Sequence, residues 1–248
     1  MDLQEALCAE SGLAAVVGAG GKKTTLYALA ERAAREGTRP VVTATVRIPI
    51  FDPHVRRVDV TDDPVSAVED TTKWPVGVVP EREGEDRYVG YDGAVVDELA
   101  ATDAAELVLV KADGARTREL KAPDEHEPQL PRQVDTVIPI ASVRAVGSPL
   151  STDRVHRPER VAAIADRELG EAIRPTDVAR VLASERGGLA DVPENATVVP
   201  LLNKVDDADE HAVAEEIATE LLDRAPAVAR VVLACMLDDE PVVDVVER

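Results

Sequence analysis

The stretch Ala14-Ala15-Val16-Val17-Gly18-Ala19-Gly20-Gly21-Lys22-Lys23-Thr24-Thr25-Leu26 decides the fold class. An apolar run of strand type ends in three glycines within four residues. Two lysines and two threonines follow, and Leu26-Tyr27-Ala28-Leu29-Ala30 opens a helical pattern. Strand, glycine loop, cation, hydroxyl and helix is the order in which a phosphate cradle is built: backbone N–H groups of the loop and helix face the anion, a lysine adds charge, and a hydroxyl can hold Mg²⁺. The spacing is shorter than G-x-x-x-x-G-K-[ST], because counting back from Lys22 or Lys23 to the first glycine position reaches Val16 or Val17. The reading is a shortened cradle, with Gly18, Gly20 and Gly21 in the loop, Lys22 or Lys23 at the phosphates, and Thr24 or Thr25 at the metal. The competing reading is a strand-to-helix turn that uses glycine for positive φ.

Working outward, the helix after the loop runs to about Glu36, and Arg39-Pro40-Val41-Val42-Thr43-Ala44-Thr45-Val46 reads as a buried strand. Strand, helix, strand over this length is a βαβ unit, which favours a parallel sheet with right-handed crossovers. Ala105–Val110 is a further continuous apolar strand, with Asp113 just past its carboxyl end, placed to hold Mg²⁺ directly or through water. An Asp-Gly turn is the plainer alternative. Val134–Ile140 is another strand, residues 158–169 and 175–185 read as helices, and Val198–Leu202 is a strand followed at once by Asn203-Lys204-Val205-Asp206. N-K-x-D after a strand is a base-recognition pattern: the Asp carboxylate can accept from guanine N1 and N2, the Lys stem packs along the ring, and Asn pins neighbouring loops. Asp206-Asp207 also suits a helix cap. A short helix over 2–11 leads into the first strand, and a helix to Asp223 and strands at 228–234 and 241–246 complete the chain.

These elements predict an α/β fold of the P-loop-NTPase-like three-layer type, with a mainly parallel sheet and helices on both faces. One nucleotide-binding domain over 1–248 is expected, with insertions near 50–93 and 145–190. Within the first insertion, Val76–Val79 and Tyr88–Tyr91 suggest a β-hairpin, and His54 reads as a solvated loop histidine.

Composition bounds the partners. A formal charge of −20 over 248 residues argues against nonspecific binding to nucleic acid or anionic membrane. Acids dispersed over an Ala- and Val-rich core suit a salty cytoplasm, where charge is screened, so the chain reads as a halophilic-type acidic protein. Lysine is scarce, yet Lys22, Lys23 and Lys204 fall in candidate nucleotide motifs, and Lys111 and Lys121 flank a third block. Cys8 and Cys235 are too few for a disulfide framework or zinc site. No apolar run approaches the roughly 18 residues of a membrane span, and the N-terminus lacks the basic start of a signal peptide, so the expected location is cytoplasmic.

Leu120-Lys121-Ala122-Pro123-Asp124-Glu125-His126-Glu127-Pro128 is polar and bounded by proline. His126 between two glutamates reads either as a carboxylate-paired loop histidine or as a metal ligand or acid/base. Together with Gly18–Lys22, Thr43-Ala44-Thr45, Ala112-Asp113-Gly114-Ala115, Val155-His156-Arg157-Pro158-Glu159, Gly187-Gly188-Leu189 and Val199–Asp206, this block resembles the YqeC family of selenium-dependent hydroxylase accessory proteins. The resemblance implies maturation of molybdenum hydroxylases, with a molybdenum hydroxylase or cofactor-maturation protein as partner and the molybdenum cofactor as cargo. It also raises the standing of His126, within Glu125-His126-Glu127-Pro128, and of His156 as functional residues. The residues themselves point to a Mg²⁺-dependent GTP- or ATP-binding protein that could hydrolyse its nucleotide, with Asp113, Glu125 and His126 as candidate catalytic groups. A non-hydrolysing nucleotide-gated chaperone and a cofactor-binding transferase are the alternatives.

Overall fold

A computed structural model describes residues 1–248. Its central sheet is built from β1 (Gly12–Gly18), β2 (Pro40–Ala44), β3 (Arg57–Val60), β4 (Val76–Val79), β5 (Leu107–Lys111), β6 (Thr136–Ser142), β7 (Leu201–Asn203), β8 (Arg230–Ala234) and β9 (Val242–Glu247). Across the sheet they lie in the order β9-β8-β7-β6-β1-β5-β2-β4-β3. Every neighbouring pair is parallel except β8 with β9. Thr197–Val198 adds a short parallel pairing on β6.

The helices are α1 (Leu3–Ala6), α2 (Lys22–Arg35), α3 (Pro64–Glu69), α4 (Gly93–Ala100), α5 (Pro158–Ala165), α6 (Pro175–Leu182) and α7 (Ala208–Arg224). Strand side chains alternate between faces, and β1 shows what each face meets. Ala14 and Val16 join Leu3 and Leu7 of the α1 region and Leu26, Leu29 and Ala33 of α2. Leu13, Ala15 and Val17 join Val96 and Leu99 of α4. Farther along, Ala141, Leu202 and Leu233 pack against α6 and α7. Both faces of the sheet are therefore covered, which is why β1, β2 and β5 read as unbroken apolar runs. The molecule is an α/β fold consistent with the P-loop-NTPase-like three-layer type.

Two expectations are corrected. Val76–Val79 is β4, inside the main sheet between β2 and β3, and makes no hairpin with Tyr88. All four residues are buried, and Gly77 leaves room for the Phe51 ring, which a Cβ there would strike. Tyr88 pairs instead in a small three-stranded sheet of Ile48–Pro49, Arg87–Tyr88 and Arg82–Glu83. The helix expected over 2–11 is a single turn, capped by Asp2, which accepts the Glu5 N–H at 2.9 Å, and followed at Cys8 by left-handed backbone, φ 51°. His54 is exposed and stacks on Tyr27 with ring centroids 4.1 Å apart. No helix is long and apolar enough to cross a membrane.

The chain leaves β1 through α2 and enters β2, passing over β5, which lies between them. β1 itself lies between β5 and β6. Strand order reverses there, and open α/β sheets bind ligands in the crevice outside the carboxyl ends of such strands.

Candidate phosphate-binding site

The loop after β1 spends its first N–H groups internally. Gly18 donates to Asp113 Oδ2 at 2.8 Å, Ala19 to the Ile140 carbonyl at 2.8 Å and Gly20 to the Arg118 carbonyl at 2.8 Å. Intrahelical bonding resumes at Thr25, whose N–H donates to Gly21 O at 3.0 Å. The N–H groups of Gly21, Lys22, Lys23 and Thr24 have no acceptor in the protein. The anion-facing surface is thus the first turn of α2, where these donors and the helix dipole both favour negative charge. Gly21 caps the turn at φ 150°, and a Cβ there would collide with the Asn203 amide, so only glycine fits.

Beneath this turn lies a buried ion network. Lys22 Nζ is 2.8 Å from Asp113 Oδ1 and also donates to the Gly18 carbonyl. Lys121 Nζ is 2.9 Å from Asp113 Oδ2 and 2.7 Å from Glu127 Oε2. Arg157 reaches Glu127 at 2.6 Å and also pairs with Asp124. Three cations thus meet three carboxylates, which keeps buried charge compensated. Burial pulls the Lys22 ammonium below its ordinary range, against the opposing pull of Asp113. Burial works to raise Glu127, but hydrogen bonds and charge from Lys121 and Arg157 hold it below the usual carboxylate range. His156, opposite Lys121 in a short parallel pairing, is pushed down to about 4 by burial and then by Arg157 and Lys121.

Above the turn is a cavity of about 520 Å³, within the size range of small-molecule sites. Ala19 to Thr24 form one wall, Gly114 to Arg118 another, and Arg47 to Pro49 with Asp86 and Arg87 a third; Lys111 and Lys204 complete it. Eight of its lining residues are lysine or arginine, and Asp86 is the one acid among them. In a chain of net charge −20, this concentration of positive charge focuses anions on one place. Lys111 is 5% exposed, and burial, then the neighbouring Lys22, lowers it to about 7.

The structure brings Gly20, Gly21, Lys22, Lys23, Thr24 and Lys204 together on the cavity wall. Thr25 is buried, with its hydroxyl turned back to Gly21 O at 3.2 Å. Asp113 lies under the cradle with the lysines. Asn203 is a strut: its amide donates to Gly20 O at 2.8 Å while its oxygen accepts from the N–H groups of Lys204 and Met236. Lys204 bonds Glu119 at 2.7 Å. Asp206 is off the cavity wall, paired with Arg144 and accepting from Cys235 Sγ at 3.0 Å. Glu125 and His126 are exposed and do not line the cavity. From the same block it is Lys121, Asp124 and Glu127 that turn inward, and their partner Arg157 lies some thirty residues away in sequence — a pairing that scarcity of lysine hinted at only for Lys121.

The family model for the YqeC protein matches residues 14–159, more than half of the chain and all of the glycine loop and ion network. The chain belongs to the YqeC family. It is also similar to the uncharacterized protein YqeC of Escherichia coli (strain K12), 28% identical over 202 residues, which covers 81% of this chain and 78% of the relative. The glycine loop, Asp113 and the inward-facing Lys121 and Glu127 all lie inside the region that matches the YqeC family.

Proposed function

We propose that this YqeC-family chain is a Mg²⁺-dependent nucleotide-binding protein, for GTP or ATP, that serves the maturation of molybdenum hydroxylases. The observation that carries the nucleotide is the set of free N–H groups from Gly21 to Thr24, opening onto the cavity beside Lys22 and Lys23. The phosphates would sit on the α2 N-terminus, with Lys22 and Lys23 neutralising their charge. The oxygen donors nearby suit Mg²⁺, a hard cation that keeps water and few protein ligands: the Thr24 hydroxyl at the wall, and Asp113 Oδ1, a buried carboxylate oxygen 2.8 Å from Lys22 Nζ. The bound metal would supply charge neutralisation at the phosphates. Should Lys22 turn to a phosphate, Asp113 would be released toward the metal or its water.

Asn203 supports the loop in this reading, and Lys204 stands where it can flank the base or ribose. Asp206 joins base recognition only once Arg144 gives up its carboxylate. The role in hydroxylase maturation, with the molybdenum cofactor as cargo, rests on the family resemblance. A second reading, a nucleotide-gated chaperone without turnover, is favoured by one observation: Glu125 and His126 lie outside the cavity, and its one acid, Asp86, is paired with Arg87. A thermal-shift screen of GTP and ATP with and without Mg²⁺, followed by a phosphate-release assay with and without a molybdenum hydroxylase, tests both. Stabilisation by nucleotide with release supports the first reading, and stabilisation without release supports the second. No shift with either nucleotide would overturn both.

A further inference from the structure

We propose that the end of the cavity formed by Arg47, Arg87 and Lys111 is a second anion subsite, which takes a phosphate-bearing small molecule beside the nucleotide. The proposal rests on the nucleotide reading above, but its evidence comes from different residues. None of the three belongs to the loop or to α2: Lys111 ends β5, Arg47 follows β2, and Arg87 comes from the small three-stranded sheet.

Lys111 is the first observation. Its side chain lies on the cavity wall, yet the residue is only 5% exposed, and its ammonium has a single partner, the Arg47 carbonyl at 2.8 Å. An ammonium carries three donors, so two are unused; no carboxylate lies within ion-pair distance, and Asp113 and Glu127 act on it only from farther off. The deeper lysines, Lys22 and Lys121, are matched to Asp113 and Glu127. A buried ammonium with no paired carboxylate is pushed toward its neutral form, the direction in which Lys111 is shifted, and a ligand anion beside it would hold it charged.

The second observation is the state of the two arginines. Arg47 holds Glu83 through both arms of its fork, at 2.6 and 2.8 Å, and Arg87 holds Asp86 at 3.1 and 2.9 Å. Both pairs are well exposed. Such pairs contribute little to stability, so a stronger anion can take the forks at low cost. Planar guanidinium forks suit phosphate oxygens bidentately. A phosphomonoester brings nearly two charges and three terminal oxygens, enough for one ammonium and two forks. A carboxylate brings one charge and two oxygens.

The third observation is strain in another wall of the same cavity. Arg116 and Thr117 are consecutive non-glycine residues with left-handed backbone, φ 46° and 59°. Residues held this way cluster at ligand clamps.

The test is calorimetric titration of the full chain, first saturated with Mg²⁺ and nucleotide, using pyrophosphate as probe. One further equivalent should bind. In the double variant Arg47→Ala/Arg87→Ala its affinity should fall by about tenfold or more, as expected for lost charge-assisted contacts, while nucleotide affinity changes far less. Arg47→Lys/Arg87→Lys, which keeps charge and loses the forks, should fall between. Both arginines are exposed, and circular dichroism checks that the variants fold. No pyrophosphate binding to the loaded protein, or equal loss of nucleotide and pyrophosphate in the double variant, would overturn the subsite and leave the nucleotide reading standing. Pyrophosphate binding that depends on the arginines in a chain that binds no nucleotide would uphold the subsite and overturn that reading instead.

Discussion

Lys22 and Asp113 form an ion pair beneath the glycine loop and the first turn of α2, Nζ to Oδ1 2.8 Å, with side chains 6% and 3% exposed. Both also grip one residue of the loop: Asp113 accepts the Gly18 N–H, and Lys22 donates to the Gly18 carbonyl. The pair therefore shapes the loop and, in the proposed function, competes with an arriving phosphate for the same ammonium.

Asp113→Asn keeps the shape of the side chain and removes the charge that faces two buried ammoniums. Breaking a buried pair costs about 3–5 kcal/mol, so the stability measured by chemical denaturation should fall by that order. A loss below about 1 kcal/mol, the scale of an exposed pair, would show that the network does not hold the fold.

Gly21 and Asn203 should be energetically coupled. Gly21→Ala puts a Cβ into the Asn203 amide, and Asn203→Ala removes the strut on Gly20, each costing on the order of 1–3 kcal/mol. Once Asn203 is truncated the collision is gone, so the double variant should lose less than the sum of the two single losses. Strict additivity in a denaturation cycle would contradict the contact.

His156 gives a pH signature. Its folded value is about 4, against 6.5 for the free side chain, so the folded chain favours the neutral ring. As pH falls the unfolded chain takes up the proton first. Stability present above pH 6.5 is then lost progressively toward pH 4. Melting curves across that window should be flatter for His156→Gln than for the wild type. Parallel curves would remove His156 from the acid response.

Arg144 is expected to gate Asp206. If Asp206 reads guanine, Arg144→Ala frees its carboxylate and should raise the preference for GTP over ATP several-fold, and Asp206→Ala should abolish that gain. An unchanged ratio in Arg144→Ala would take Asp206 out of base recognition.

The part of the fold legible in the sequence is the part written in local pattern. The β1 strand, its glycine loop and α2 follow from periodicity and from glycine, lysine and threonine in order. The buried strands β5 and β6 follow from runs covered on both faces. Val76–Val79 misled because a short apolar run with a glycine carries no mark of whether it pairs within a hairpin or enters a sheet, and its place beside β2 depends on Phe51 filling the space over Gly77. The site was legible only where one segment supplies it. Its ion network joins Lys22, Asp113, Lys121, Glu127 and Arg157, and cations of the cavity come from positions 47, 87, 111, 116 and 118, which no local spacing connects to the loop. The Lys-Ala-Pro-Asp-Glu-His-Glu-Pro block drew notice to Glu125 and His126 because histidine titrates near neutrality, whereas its inward face is decided by the partners waiting there.

The central claim is that the first turn of α2, with Lys22, is a nucleotide-phosphate site. Calorimetric titration of the wild type and Lys22→Ala with Mg²⁺ and GTP or ATP, at low and high salt, tests it most directly. One equivalent of nucleotide should bind the wild type, and Lys22→Ala should weaken binding by about tenfold or more, the scale of one lost charge-assisted contact. A wild type that takes up no nucleotide, or a folded Lys22→Ala chain that binds it equally well, would contradict the account.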